Sequence, residues 1–513
     1  MQKSPCVFIV GAGPGDPGLI SVRGQRHLEA ADVVVYDHQV HARLLRSARP
    51  DAEKIDVGAA APRPLDQDAI SLLLVETARE GKSVVRLKWG DPFVFDNGGK
   101  EALFLHEQQI PFEVVPGIPG AIGVPAYAGI PITYPGGGDV VTLVRGHESE
   151  TDAPPKVDWS RLAGLDGTLV CYAGARQVGA VASALLTNGR APEESAALIY
   201  AGTTSAQETI VATLGTIVEH ARPQEPAMLV IGAVVGLREH LRWFDDRPLF
   251  GRRIVVTRSR EQAAELVDML EERGAEAIQA PTIRIAAPED VGALDRACAD
   301  AAAYDWIVFT SANAVDYFMQ RVLANGDIRD LKGVKLCAIG PSTAQRVARY
   351  GIRVDLTPDE ARSEAVIEAL KAAGPLKEVR ILLPRADIAR EVLADQLRDA
   401  GADVSEVAAY RTMLGGSERD ADQDIYRMLL DRQIDAITFT SASTVKNFAK
   451  IFGEEQVADL LRTTVVASIG PVTAEAAQHL GIGTTVMPER YTIPDLVDAL
   501  VEHFRPQVTA TRP

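Results

Sequence analysis

No cysteine of this chain lies near another. Cys6, Cys171, Cys298 and Cys337 are far apart and none belongs to a CxxC pair. That spacing argues against a zinc site or a disulfide framework and fits a reducing compartment. The nine histidines show no HExxH or comparable ligand spacing, so no metal is expected. Basic residues are also short: 53 Lys and Arg face 70 Asp and Glu, for a net charge of -17. Nucleic acid and anionic membranes need a basic footprint, and neither is expected as a partner. Any acidic ligand must then be gripped by local donors. No apolar run reaches about 18 residues. The first residues lead into CVFIV without a basic n-region or an apolar h-region, so a soluble, cytoplasmic chain is expected.

What is present is alternation. VFIVGAG, DVVVYD and SVVRLKWGD are apolar runs ending in Gly or Asp, with the helically spaced SVRGQRHLEAAD between the first two. Strands alternating with helices predict an α/β chain, and 513 residues exceed what one core serves. TLVCYAG, SAALIYAG and AMLVIGAVV begin a second block near Asp158, after an acidic, Pro154-Pro155-containing connector. The main boundary is expected at Trp243–Arg253, with a linker at 245–252. The first half, 1–244, would divide into lobes of about 1–135 and 136–244.

The second half repeats itself. FTSANAVDYF (Phe309–Phe318) recurs as FTSASTVKNF (Phe439–Phe448), six of ten positions being identical. AIGPSTA (Ala338–Ala344) recurs as SIGPVTA (Ser468–Ala474) at the same offset of 130 residues. That period is too long for a solenoid. It reads as two similar α/β domains, about 253–281 plus 413–505 and 286–403, joined by strands near Pro281–Ile285 and Val404–Thr412. Facing domains that each offer a Thr-Ser turn suit a large polyanionic ligand.

GAGPGDPG (Gly11–Gly18) follows the first strand. One reading is a dinucleotide loop, with Asp37 at the next strand end as the ribose-binding acid. The G-x-G-x-G spacing and the stiffening Pro14 and Pro17 count against it. Another reading is a tight turn that binds nothing.

The wider context decides between them. VGAGPGDPGLIS, ADVVVYD, VVRLKWGDPFVF, FEVVPGIPGAIGVPAYAGIPIT, VRGH, GTLVCYAG and PAMLVIGAVVGLREHLRWF stand in order over about residues 5–244. This half resembles the tetrapyrrole (corrin/porphyrin) methyltransferases, most closely the uroporphyrinogen-III C-methyltransferases. The resemblance implies a two-lobed α/β fold with S-adenosylmethionine in its cleft. Contacts would come from Pro14, Gly90, Asp91, Val94, Pro119, Gly120, Ala173 and Gly202. Glycines let backbone approach a ligand closely, and the protein's main task is alignment of a reactive methyl donor. Asp37 would take the released proton, unless it is only a strand-end turn residue. A homodimer through this half is also implied.

Several positions depart from the family's pattern. YDRLV becomes Tyr36-Asp37-His38-Gln39-Val40, and a lysine becomes Ala59. In LKGGDPFxFGRG, Trp89 replaces a glycine and Asp96-Asn97 replace Gly-Arg. ITHR becomes Ile132-Thr133-Tyr134-Pro135, and a methionine becomes Ala173. Three basic groups are lost where a polycarboxylate substrate needs them. Arg23, Lys88, Lys100 and Arg145 are the candidates to compensate.

Residues 253–505 resemble the uroporphyrinogen-III synthases. The carriers are VVTRSREQAAEL, DWIVFTSANAVDYF, AIGPSTA, LLPRADIAREVL, VAAYRT, ITFTSASTVKNF, SIGPVTA and ERYTIPDLV. The resemblance implies closure of linear hydroxymethylbilane with inversion of the last pyrrole ring and loss of water. This half has no Ser-His-Asp order, metal cluster or paired carboxylates. Hydroxyls and backbone N–H groups at strand-to-helix turns would hold the substrate carboxylates. The candidates are Thr257, Arg258, Ser311, Thr343, Arg390, Ser441 and Thr473. Each Ser or Thr also reads as a helix N-cap. Tyr410 matches the family tyrosine proposed to donate a proton to the departing hydroxyl, or else is a hinge-packing aromatic.

The expected whole is a two-activity enzyme. The C-terminal half makes uroporphyrinogen III, and the N-terminal half methylates it twice to precorrin-2, toward sirohaem and cobalamin. The alternatives are an active synthase carrying a degenerate S-adenosylmethionine-binding module, or a methylase for another tetrapyrrole.

Overall fold

The computed structural model describes residues 6–58, 64–146, 156–174, 176–222, 225–358, 363–387, 392–414 and 425–505. The chain forms two compact units. One runs to Arg253 and adds Met269–Glu276; the other takes Ile254–Asp268 and Ala277–His503. Among the described residues no helix is long and apolar enough to cross a membrane.

The first unit begins with β1 (Val7–Gly11), β2 (Val33–Tyr36), β3 (Glu53–Asp56), β4 (Val84–Lys88) and β5 (Phe112–Val115). They form one parallel sheet in the order β3-β2-β4-β1-β5. Runs such as VVVY and VVRLK are buried on both faces, as a helix-covered parallel sheet requires. Alternation along each strand feeds two cores. Val7, Ile9, Val33, Val35 and Val84 pack on one face. Val10, Val34, Val85 and Leu87 pack on the other. Arg86 and Lys88 therefore fall on the Val84 face, toward the helix Gly98–Glu107, whose Ala102 and Leu105 share that core.

The same unit continues with β6 (Val141–Arg145), β7 (Thr168–Ala173), β8 (Ser195–Tyr200), β9 (Glu208–Thr213) and β10 (Ala227–Ile231). Their order is β6-β7-β10-β8-β9, with only β6 and β7 parallel.

In the second unit, β11 (Arg253–Val256) and β12 (Glu276–Gln279) join β18 (Ala436–Phe439) and β19 (Val465–Ser468) in a four-stranded sheet, β12-β11-β18-β19. Between them in sequence come β13 (Ile283–Ala286), β14 (Trp306–Phe309), β15 (Lys335–Ala338), β16 (Arg380–Ala386) and β17 (Asp403–Leu414). These form the sheet β13-β17-β16-β14-β15. β13 pairs antiparallel with the last residues of β17. The first part of β17 runs parallel to β16.

The sequence repeat is a structural repeat. β14 leads through Ser311 into the helix Ala312–Asn325, and β18 through Ser441 into Ala442–Phe452. Each copy locks strand to helix with two phenylalanines. Phe309 meets Phe318 edge-on at 5.7 Å, and Phe439 meets Phe448 at 5.6 Å. β15 and β19 each pass through Gly-Pro into a helix, Pro341–Ala348 and Pro471–Gln478.

Candidate functional sites

Ligands of open parallel sheets bind beyond the carboxyl ends of the strands. At that edge of the first sheet the chain's backbones crowd together. Gly13 and Gly90 exchange hydrogen bonds of 3.2 and 2.8 Å. A Cβ on Gly117 would lie 2.2 Å from the Gly90 carbonyl, so no larger residue fits there. Asp91 ties this edge down, its Oδ1 accepting from Phe93 N (2.8 Å) and its Oδ2 from Gly117 N (3.0 Å). Gly90 has φ +69°, a conformation that favours glycine, and a Cβ there would stand in ordinary contact, 3.7 Å from Gly120 N, so this turn packs its backbone directly against the start of the next helix.

Trp89 joins three parts of this edge. Its backbone N–H donates to Asp37 Oδ2 (3.2 Å), and its indole Nε1 donates to the Pro14 carbonyl (3.1 Å). Its ring lies where a Cβ on Gly120 would be, 2.7 Å away. Pro119 caps the helix Gly120–Tyr127, and Val94 is half-buried in the turn after Asp91.

The second lobe contributes through that same helix. Tyr172 accepts from Ala121 N at 2.8 Å, and a Cβ on Gly202 would strike Val124 at 2.4 Å. A ring of hydrogen bonds fastens the lobes. Asp16 N donates to Thr203 Oγ1 (3.1 Å), Thr203 N to Gln207 Oε1 (2.8 Å), Gln207 Nε2 to the Tyr127 carbonyl (3.2 Å), and Tyr127 OH to Asp16 Oδ2 (2.7 Å). Burial first and the Asp16 carboxylate second push the Tyr127 phenol up, so it stays a donor. Ala201 (φ +45°) and Thr203 (φ +66°) hold a left-handed backbone around Gly202, a strain that clusters at binding sites. Pro14, Gly90, Asp91, Val94, Pro119, Gly120 and Gly202 thus share one neighbourhood. Ala173 borders it, but its methyl is enclosed in the second lobe's core, which leaves only its backbone for a ligand.

Beneath this edge lies a buried ionic network. Arg86 and Lys88 are each 1% exposed and Glu101 is 0% exposed. Glu101 Oε1 accepts from Arg86 Nε (3.2 Å), Lys88 Nζ (3.1 Å) and Gln67 Nε2 (3.2 Å). Arg86 also pairs with Asp37, and Lys88 Nζ with Asp96 Oδ1 at 3.0 Å. Burial acts on every carboxyl in the network, raising its proton affinity. For Asp37, Arg86 and Lys88 outweigh it, with the Arg86 and Trp89 hydrogen bonds, and hold the carboxyl below the usual range. Glu101 is lowered by the same two cations. Asp96 is pushed up, because burial and the Asp37 charge exceed the pull of Lys88.

This corrects one expectation. Lys88 is enclosed and committed to two carboxylates, so it cannot replace the lost substrate-facing cations. Arg23, on the surface, bridges Glu113 at 3.3 Å. Lys100 and Arg145 are exposed. Of the departures, His38 binds Asp56 Oδ2 at 2.8 Å, Tyr134 is exposed, and Asn97 begins the helix Gly98–Glu107 without a side-chain cap bond. Ala59 lies outside the described residues.

In the second unit, Tyr410 stands on β17, 8% exposed, with its OH 3.1 Å from Ser311 Oγ. Tyr317 stacks on its ring at 6.1 Å. Ser311 also caps its helix by accepting from Ala314 N (3.1 Å), which fixes the hydroxyl that faces Tyr410. Ser441 caps the equivalent helix, but its side chain meets Ser443 Oγ at 2.8 Å instead of a tyrosine. Thr257 is 0% exposed and donates to the Thr438 carbonyl (2.7 Å), so its hydroxyl straps β11 to β18 and is closed to a ligand. Thr343 and Thr473 occupy the same buried place in the first turns of the Gly-Pro helices, where neither glycine cap supplies a side chain. Arg258 Nε donates to Gln262 Oε1 (3.1 Å), and burial lowers the guanidinium's proton affinity while Glu265 opposes. Arg390 lies outside the described residues.

Three features escaped the sequence reading: the Arg86–Glu101 pair, the Asp16–Thr203–Gln207–Tyr127 ring, and the Ser311–Tyr410 contact. Two charges inside the apolar run VVRLK were the signal for the first. Apart from the Thr203–Gln207 bond, the others join residues 80 or more apart and left no local trace.

Residues 6–218 match the tetrapyrrole (corrin/porphyrin) methylases, and residues 264–498 match uroporphyrinogen-III synthase HemD. Among curated proteins, the chain is 34% identical over 503 residues to "Porphyrin biosynthesis protein HemD" of Ruminiclostridium josui, covering 97% of each chain. It is 34% identical over 372 residues to "Uroporphyrinogen-III C-methyltransferase" of Bacillus subtilis, covering 72% of this chain and 76% of that one. It is 44% identical over 239 residues to "S-adenosyl-L-methionine-dependent uroporphyrinogen III methyltransferase" of Methanosarcina barkeri, 46% of this chain and 94% of that one. The chain therefore belongs to the tetrapyrrole methylases over its N-terminal part and to the uroporphyrinogen-III synthases over its C-terminal part, and is an enzyme of both kinds.

Proposed function

We propose that the C-terminal part, 253–505, closes hydroxymethylbilane to uroporphyrinogen III with loss of water, and that the N-terminal part, 1–244, methylates that product twice to precorrin-2. S-adenosylmethionine supplies an electrophilic methyl group when bound. The residues fit such a ligand: closely approaching glycine backbones at Gly13, Gly90 and Gly117, a tight Pro14 loop and an aromatic side made by Trp89 and Tyr172. Asp37 carries the reading. Its carboxylate stands ionised beside those backbones, where it can accept the proton released on methylation, although the Arg86 pair and the Trp89 N–H that hold it there make it a weaker base than a free carboxylate. In the synthase part, Tyr410 is the donor to the departing hydroxyl, and Ser311 orients it.

One observation favours a second reading. Lys88 is spent on Asp96 and Glu101, so the first lobe has lost three family cations without regaining that one. The N-terminal part would then bind the methyl donor without turning over this substrate, or would methylate a different tetrapyrrole.

Anaerobic incubation with uroporphyrinogen III and methyl-labelled S-adenosylmethionine, followed by mass analysis, separates the two. A gain of two methyl groups supports the proposal. No transfer, with the synthase active on hydroxymethylbilane in parallel, overturns the methylation half of it.

A further inference from the structure

The methyl donor is a cation and its spent form is a neutral thioether. Something in the cleft must meet that positive charge; among the described acidic side chains around it, Asp37 and Asp96 are paired with cations, whereas Asp16 and Asp91 accept only from neutral donors. Asp16 accepts from Gly18 N and Tyr127 OH. Asp37 is paired with Arg86 and the Trp89 N–H. Asp91 spends one oxygen on Phe93 N and the other on Gly117 N. Asp96 is paired with Lys88.

Aromatic rings stand in the same place. A Cβ on Gly120 would meet Trp89 at 2.7 Å and Tyr172 at 3.2 Å, so both rings press on one backbone position. Phe95 meets Tyr172 edge-on at 5.6 Å and holds a left-handed φ of +56° to do so. The indole is pinned by its bond to the Pro14 carbonyl, and Gly120 is the only residue that leaves it room. Trp89 and Gly120 are a fitted pair.

We infer that Trp89, seated on Gly120 beside Tyr172, is the residue by which the cleft prefers a cationic ligand of the S-adenosylmethionine class over its neutral thioether product. An aromatic face attracts a cation through its quadrupole and gives a neutral thioether no such advantage. The consequence is release of product between two successive transfers. The inference rests on the cofactor reading above.

The test is calorimetric titration of the full chain with two probes of one shape. Sinefungin carries an amine where the sulfonium stands, and S-adenosylhomocysteine is neutral there. Wild type should favour sinefungin. Trp89→Leu, which keeps apolar bulk without a π face, should reduce that preference about fivefold. Trp89→Phe should keep most of it. Gly120→Ala, which displaces the indole without altering Trp89, should lower the preference in the same direction. Equal weakening of both probes in Trp89→Leu, or an unchanged ratio, would overturn the inference and leave Trp89 a packing residue. Binding of neither probe by wild type would overturn the cofactor reading itself, and the inference with it.

Discussion

The two catalytic parts handle charge in opposite ways. Around Asp37 the first sheet buries two cations in one strand and balances them with carboxylates from other elements: Asp37 from the end of β2, and Asp96 and Glu101 from the segment after β4. Around Tyr410 the second unit places two neutral hydroxyls against each other, one of them already fixed as a helix cap. The difference separates what holds the fold from what does the chemistry. On the proposed roles, a single side chain in the first sheet, Asp37, serves both purposes, whereas in the second unit the Tyr410 hydroxyl should be removable with little effect on folding.

Glu101→Gln should break the comparison most severely. It keeps the shape and removes the one fully enclosed anion that Arg86 and Lys88 share. Breaking a buried pair from one side costs roughly 3–5 kcal/mol. We expect a loss of that size in urea unfolding of the full chain, in the transition that carries the methylase part. A change below about 1 kcal/mol would mean that Asp37 and Asp96 alone neutralise the strand.

Tyr410→Phe should act on activity instead. Loss of a general acid lowers a rate by about a hundredfold or more. Hydroxymethylbilane consumption should fall by that order, with urea unfolding nearly unchanged because the ring still stacks on Tyr317. An unchanged rate would return Tyr410 to the role of a hinge-packing aromatic.

The acid response sharpens the contrast within the ionic network. Asp37 and Glu101 are lowered in the folded state, so their stabilisation is present above the ordinary carboxylate range and is lost as pH falls through their folded values. Asp96 is raised, so its contribution has the opposite sign: it is present below the ordinary value and is lost as pH rises through the folded one. Asp96→Asn should therefore gain less stability than wild type on moderate acidification. On acidification from pH 7 to pH 5 the urea midpoint of the variant should change less favourably than that of wild type, and an identical change would exclude Asp96 from the response.

Much of the fold was legible because its signals are local. Buried parallel strands announce themselves as β-branched runs, and a Thr-Ser turn before a helix marks a cap. The crowding at the carboxyl edge of the first sheet was legible because glycine and proline are needed where backbones touch, as at Gly90 and Gly117. Lys88 shows where this stops. A lysine at a strand end reads as substrate-facing, and only the packing of the helix Gly98–Glu107 shows it to be enclosed. Thr257 failed for the same reason. Its hydroxyl goes to Thr438, 181 residues away, through a strand pairing that no local pattern encodes.

The smallest effect tests the internal repeat. Ser311 and Ser441 cap equivalent helices with the same side-chain acceptance, from Ala314 N at 3.1 Å and Thr444 N at 3.2 Å. Replacing either by alanine should cost about 1 kcal/mol of stability, since the lost cap is the same. Ser311→Ala should in addition slow hydroxymethylbilane consumption, because it alone removes the partner of Tyr410. Ser441 meets Ser443 and its own capping box, and its loss should lower stability more than rate. Stability and rate measured on both variants thus distinguish a copy of the motif that has taken on chemistry from one that only begins a helix. Equal slowing in both would mean that the two turns grip the substrate alike, and that the Tyr410 contact adds nothing to the difference between them.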